Sequence, residues 1–215
     1  MTAGPGLFIA FEGGEGAGKS TQIQHLAQWL QGQGHRVVTT REPGGTLIGS
    51  AIRSLLLDPA TGEMDPRTEA LLYAADRAEH VASVIRPALS SGATVISDRF
   101  VDSSLAYQGA GRILDRDEVE QLSRWASKEL TPDLTVILDI DPRLGLARLS
   151  GADRLESLAV DFHDRVRQGF VDLAQRAPHR YAVIDASLPE VEVRAAVVAA
   201  VDAMLQQRAA ESATS

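Results

Sequence analysis

The 215-residue chain contains no cysteine, which excludes both a disulfide framework and a thiolate metal site. No apolar run approaches the roughly 18 residues that a membrane span needs. The N-terminus has no basic start, apolar core or cleavage site, so a secretory signal is not expected. The expected compartment is the cytoplasm. An excess of positive charge is also missing, because 21 Lys and Arg face 29 Asp and Glu, a net charge of −8. A nucleic-acid polymer needs a basic surface to wrap, so none is expected as a partner. Locally gathered arginines can still build a positive pocket for a small anion. His25, His35, His80, His163 and His179 are scattered without metal-ligand spacing. What is present is ordinary: 44% apolar and 23% charged residues, enough chain for one α/β domain over residues 1–215.

Within that ordinary background, Gly13-Gly14-Glu15-Gly16-Ala17-Gly18-Lys19-Ser20 fits G-x-x-x-x-G-K-[ST] at every fixed position. Leu7–Phe11 before it is an apolar run of strand length. After it, Ile23, Leu26, Ala27 and Leu30 recur at helical spacing. The glycines therefore fall on a strand-to-helix turn, where backbone N–H groups and a helix N-terminus favour a polyphosphate. Lys19 is expected to reach the β/γ-phosphates and Ser20 to ligate Mg²⁺.

Further apolar, β-rich runs stand at Val37–Thr40, Thr94–Ser97, Thr135–Asp139 and Ala182–Asp185, separated by helical stretches. That alternation predicts a five-stranded parallel sheet with helices on both faces. A helix is expected from Asp117 to about Lys128, with Val119, Leu122, Trp125 and Ala126 on its inner side. Ser187-Leu188-Pro189-Glu190 reads as a capping box opening a last helix through Val191–Leu205. The small polar tail 209–215 is expected to fray.

A phosphate loop alone does not separate kinases from GTPases or motor ATPases. No N-K-x-D guanine reader occurs, and Leu149-Ser150-Gly151 is only a fragment of an ABC-type signature. A small-molecule or nucleotide kinase remains, which needs a second anion site and a closing lid. Arg41-Glu42-Pro43-Gly44-Gly45-Thr46 and Asp98-Arg99 follow the second and third strands, at the carboxyl edge where α/β sheets bind ligands. Read by themselves, the first is a Pro-Gly turn and the second equally well a strand-end salt bridge.

Thr40–Thr46, Leu72–Val81 (Leu-Tyr-Ala-Ala-Asp-Arg-Ala-Glu-His-Val), Asp98–Gly109 (Asp-Arg-Phe-Val-Asp-Ser-Ser-Leu-Ala-Tyr-Gln-Gly), Pro132–Thr135 and Leu138-Asp139 together resemble the bacterial thymidylate kinases. The resemblance runs from about residue 7 to about residue 205. It implies a P-loop kinase fold with a short lid, ATP and Mg²⁺ as cofactors, dTMP as acceptor and a homodimer. It also implies roles. Gly13, Gly14, Glu15, Gly16, Ala17, Gly18, Lys19, Ser20 and Thr21 would hold ATP, with Arg148 stacking on adenine and Ala186 facing it. Ser20 and, through water, Asp98 would bind the metal. Glu15 would lie near the sugar 3′-hydroxyl, with Glu42 and Pro43 also in the acceptor site. Arg99 and Arg53 would clamp the acceptor phosphate. Tyr73 would stack on thymine, Arg77 would bond its O4, Ser104 and Gln108 would read the remaining edge, and Tyr107 would crowd the 2′ position. The lid is expected at about 149–160, with Arg154 stabilising the transferring phosphoryl group beside Lys19, Arg99 and Asp98.

Two other readings stand beside this one. A nucleoside kinase of the same fold would not need the phosphate that Arg99 and Arg53 would hold. A non-catalytic nucleotide switch would not need Lys19, Ser20 and Asp98 together.

Overall fold

A computed structural model describes residues 6–112, 114–149 and 153–214, with side chains to residue 211. Strands β1 (Phe8–Gly13), β2 (Val37–Arg41), β3 (Thr94–Asp98), β4 (Leu134–Asp139) and β5 (Tyr181–Asp185) form one sheet in the order β2-β3-β1-β4-β5. Every neighbouring pair is parallel. All five lie where the apolar runs predict them, each within two residues at either end.

Side chains alternate across β1 as a strand requires. Ile9 and Phe11 join α1 (Lys19–Gly32) and the last helix on one face, through Leu26, Leu30, Val197 and Val201. Phe8 and Ala10 face the opposite way, toward Val81, Ile85 and Phe100. A third cluster centres on Phe162, Val166 and Phe170. Helices thus cover both faces, and the loops at the carboxyl ends of the strands are left to build a site.

Between β2 and β3 run α2 (Leu47–Leu57) and α3 (Pro66–His80), the latter continuing through a π-helical turn at Val81–Ile85 into α4 (Arg86–Ser90). After β3 come α5 (Val101–Ser104), a π-helical segment at Leu105–Gly111, and α6 (Arg116–Ser127). Short α7 (Pro142–Leu146) follows β4. Then α8 (Val160–Arg176) leads to β5, and α9 (Glu190–Thr214) closes the chain.

Three expectations need correction. Trp125 is not a packing residue; it stands 78% exposed on α6, while Val119 and Ala126 turn inward. The capping box does not form. The Ser187 hydroxyl donates to Asp185 Oδ1, and the Glu190 carboxylate is paired with His25 Nε2 at 2.8 Å. The last helix runs beyond Leu205 to Thr214, so the segment expected to fray is helical that far. No described helix is long and apolar enough to cross a membrane.

Candidate active site

The phosphate loop curls between β1 and α1. Gly16 and Gly18 have φ of 66° and 88°, a backbone that side chains disfavour. Gly16 also lies so close to the Gly145 carbonyl of α7 that a Cβ there would overlap it. Lys19 Nζ donates to the carbonyls of Gly14 (2.9 Å) and Gly13 (3.2 Å), so it arches over the loop it is meant to serve. Burial, followed by the neighbouring Arg99 charge, lowers its pKa. Across the loop, Ser20 Oγ stands 3.4 Å from Asp98 Oδ2, while Asp98 Oδ1 is buried without a hydrogen-bond partner. A cavity of about 320 Å³ opens here, bounded by the loop and by Arg41, Arg53, Asp98 and Arg99. Exposed Arg41 and half-buried Arg53 have no carboxylate partner among the described residues, whereas Arg53 Nη1 donates to the Pro43 carbonyl at 3.0 Å.

A second, smaller cavity of about 100 Å³ shares Glu15, Arg53 and Arg99 with the first. Its walls include Pro43, Tyr73, Ser103, Tyr107 and Gln108. Arg99 forms the partition. Its Nη2 pairs with Glu15 at 2.6 Å, its Nη1 donates to Gly13 O and Ser103 Oγ, and its guanidinium lies 4.9 Å over the Tyr107 ring. The Tyr107 hydroxyl donates to the same Glu15 oxygen at 2.7 Å. Burial alone would raise the pKa of Glu15, but Arg99, Lys19 and Tyr107 override it and hold the carboxyl at about 2. A polyphosphate cradle and an arginine-walled pocket thus meet at one ion pair.

A family model described as thymidylate kinase matches residues 11–197. The thymidylate kinase of Clavibacter michiganensis subsp. michiganensis is 55% identical over 196 residues, covering 89% of this chain and 92% of that one. That of Deinococcus radiodurans is 53% identical, over 91% of this chain and 96% of its own. A crystal structure of thymidylate kinase from Ehrlichia chaffeensis superposes with a TM-score of 0.75 at 36% identity, covering 92% of this chain and 99% of that one. The chain belongs to the thymidylate kinase family.

Several residues expected from the family pattern fall on these cavities: the whole loop from Glu15 to Thr21, Arg53, Asp98 and Arg99 on the first, and Pro43, Tyr73, Tyr107 and Gln108 on the second. Arg148 donates to Gly16 O and Ala186 O, each at 3.3 Å, which links the loop to the backbone after β5. Among the described residues no group of three or more His, Cys, Asp or Glu gathers. A Mg²⁺ ion takes few protein ligands and completes its shell with water and phosphate. The unpartnered Asp98 oxygen beside Ser20 fits such an ion.

Other expected residues do not line the small cavity. Arg77 is buried behind the pocket wall, giving Nε to Glu42 (2.9 Å) and Nη2 to Phe100 O and Ser104 Oγ. Its Nη1 lies 3.4 Å from Ser123 Oγ. Ser104 is buried with it. Glu42 borders the phosphate cavity, but its oxygens are taken by Arg77 and by His80 Nδ1 (2.8 Å). Arg154 does not reach the phosphate loop. It is buried against Leu56 O and paired with Glu69 of α3, and its own N–H bonds Leu57 O. The expected lid therefore docks on the end of α2, and Asp153, Leu155 and Glu156 line the small cavity. Residues 150–152 of the expected lid lie outside the described residues.

Two buried acids behind the site carry no signal in the motifs. Fully buried Glu12 accepts the N–H groups of Phe100 (2.8 Å) and Ser103 (3.0 Å) and the Ser103 hydroxyl. Fully buried Glu69 gathers Gln108, Arg112 and Arg154. An acid in the otherwise apolar strand β1 was the available clue to Glu12; Glu69 shares its helix face with Asp76, Arg77 and His80 and offers none.

Proposed function

We infer that the protein transfers the γ-phosphoryl group of ATP to the 5′-phosphate of dTMP, giving dTDP and ADP on the route to dTTP. The observation that carries this is the shared wall: Glu15, Arg53 and Arg99 border both cavities, in a chain of this family. An oxygen of the acceptor phosphate attacks the γ-phosphorus while the bond to the bridging β-phosphate oxygen breaks. The protein's task is in-line placement and neutralisation of charge on the moving group. Lys19 and the loop N–H groups hold the donor phosphates. Arg99 exchanges Glu15 for the acceptor phosphate, and Arg53 and Arg41 add positive charge from the other side. Ser20 and, through water, Asp98 would hold Mg²⁺, which would supply charge neutralisation for the phosphates.

On the acceptor side Tyr73 lies against thymine, and Gln108, with Ser104 and Arg77 behind it, faces the base edge. Glu15 receives the 3′-hydroxyl and Tyr107 crowds the 2′ position. On the donor side Arg148 and the Ala186 backbone border adenine. The docked lid segment opens to admit dTMP, because about 100 Å³ is below the 300–1,000 Å³ typical of small-molecule sites. Arg154 acts in this reading as the latch of that lid. We place the enzyme in the cytoplasm with its substrates.

We also propose a homodimer. Leu47, Ile48, Leu55, Leu71 and Trp125 are exposed on α2, α3 and α6, and these helices pack side by side. A broad exposed apolar face marks an interface.

ADP release measured with ATP, Mg²⁺ and each of dTMP, dUMP, dCMP, UMP and AMP tests the assignment. dTMP should be best, dUMP weaker by the about 1–3 kcal/mol of a missing methyl contact, and UMP poor. A preference for a cytosine nucleotide would overturn the base-edge assignment. Activity on thymidine in place of dTMP would overturn the phosphate clamp.

A further inference from the structure

At the amino ends of β4 and β5, the edge of the sheet opposite the phosphate loop, lies a cavity of about 480 Å³. It is larger than the phosphate cavity and within the size range of small-molecule sites. Its floor is apolar, from Leu105, Leu130 and Leu173, and its rim carries Arg116, Arg124, Arg176 and Arg180. Arg124 pairs with Glu129 at 2.7 Å on the exposed rim, and Arg180 interacts electrostatically with Asp102. Arg180 lies 5.7 Å over the Tyr181 ring. Arg116 and Arg176 make no ion pair among the described residues. The remaining acids are Glu120 on the rim and Asp102 inside. Asp102 already accepts from the Tyr181 hydroxyl (3.1 Å) and Thr135 Oγ1 (3.4 Å), and burial raises its pKa. In a chain with a net charge of −8, a hollow where Arg116 and Arg176 have no carboxylate partner among the described residues, above an apolar floor, is fitted to a small anion with an apolar body.

The cavity also borders the acceptor site. Val101, Asp102 and Leu105 face it from α5 and the start of the π-helical segment. Ser103, Tyr107 and Gln108, from the same stretch, face the acceptor cavity. Any ligand that shifts this stretch changes both walls, and the resulting coupling is reciprocal.

We propose that this arginine-rimmed cavity is a second nucleotide site, taking a nucleoside polyphosphate with its phosphates on Arg116, Arg176 and Arg180, and that its occupation alters acceptor binding through α5. The coupling rests on the acceptor site assigned above; the binding does not.

The binding test is calorimetric titration of dTTP, ATP and inorganic tripolyphosphate into Lys19→Ala, which weakens the phosphate loop, and into the same protein with Arg176→Glu and Arg180→Glu added. The nucleotides should bind Lys19→Ala, more tightly than tripolyphosphate because of the apolar floor. The added charge reversals should weaken them at least about tenfold. Arg176 is exposed, so Arg176→Glu alone, which disturbs no packing, should weaken them by a smaller factor. Equal binding with and without the reversals, or no binding to Lys19→Ala, overturns the site. Tripolyphosphate binding as tightly as the nucleotides overturns the nucleotide assignment. The coupling test is the apparent KM for dTMP measured at rising dTTP with ATP saturating. A KM that shifts to a plateau, and does not shift in Arg176→Glu/Arg180→Glu while that variant keeps its own kcat and KM without dTTP, supports it; a KM that rises without limit, or shifts equally in the variant, contradicts it. A chain that did not phosphorylate dTMP would leave the calorimetric result readable, so the two failures are distinguishable.

Discussion

Arg99 occupies a left-handed backbone conformation, φ 70°, which costs a non-glycine residue about 1–3 kcal/mol. Its own amide bonds Phe11 O and its carbonyl accepts from Ser97 Oγ, so β1 and β3 fix the turn that aims the side chain. Removing the guanidinium should therefore cost acceptor chemistry and leave donor binding intact. Arg99→Ala is expected to lower kcat/KM for dTMP by about 10²–10³-fold with the KM for ATP little changed, as read from initial rates. Glu12 lies one shell behind. Burial, and next the nearby Asp102, raises its pKa to about 8, against an ordinary 4.5. The folded state thus holds this proton more tightly than the unfolded chain, so the contribution to stability falls as pH rises from about 4.5 to about 8. Glu12→Gln, permanently neutral, should flatten that part of the stability-pH curve in denaturant melts; an unchanged slope would contradict it. Glu15 behaves oppositely. Held at about 2, it adds stability above about pH 4.5 that is lost as pH falls toward 2.

At the level of elements, the turn between β2 and α2 shows why its glycines are required. A Cβ on Gly45 would meet the His80 ring at 2.7 Å and the Arg41 carbonyl at 2.8 Å. The same His80 holds Glu42 and Thr40, and Asp76 Oδ1 accepts the Gly44 N–H at 3.0 Å. Gly45→Ala should cost about 1–3 kcal/mol by overpacking, measured by urea unfolding, and should weaken acceptor binding as the turn shifts. The lid segment separates two roles for Arg154. As a latch on Glu69 its loss frees the segment: Arg154→Ala should raise amide exchange over residues 153–158 and keep kcat within about tenfold. An arginine acting on the transferring group would instead cost about 10³-fold or more.

The central strands β1, β3 and β4 were legible because buried parallel strands read as continuous apolar runs, and the phosphate loop because its spacing is a geometric requirement. The partners of buried polar side chains were not. Arg77, Glu42, Glu69 and Arg154 find one another across 35 to 85 residues of sequence, and no local pattern records such pairings.

For the whole molecule, sequence periodicity placed Trp125 on an inner stripe, yet it is among the most exposed apolar side chains. An amphipathic helix with an apolar residue on either face gives no sign of which face meets the molecule's own core and which meets another copy. Leu47 on α2 is 90% exposed. Light scattering should find a dimer, and Leu71→Glu with Trp125→Glu should convert it to a monomer; a monomeric parent protein would contradict the interface. The two cavities, by contrast, follow from the topology, since loops after β1, β2 and β3 converge at one edge of the sheet. The most direct test of that convergence is a crystal structure with a thymidine–adenosine bisubstrate analogue, its two nucleosides joined through a phosphate bridge. Thymine is expected against Tyr73, Arg99 released from Glu15 onto the acceptor-side phosphate, and Lys19 on the donor phosphates. Thymine lying away from Tyr73, with Arg99 still paired to Glu15, would contradict it.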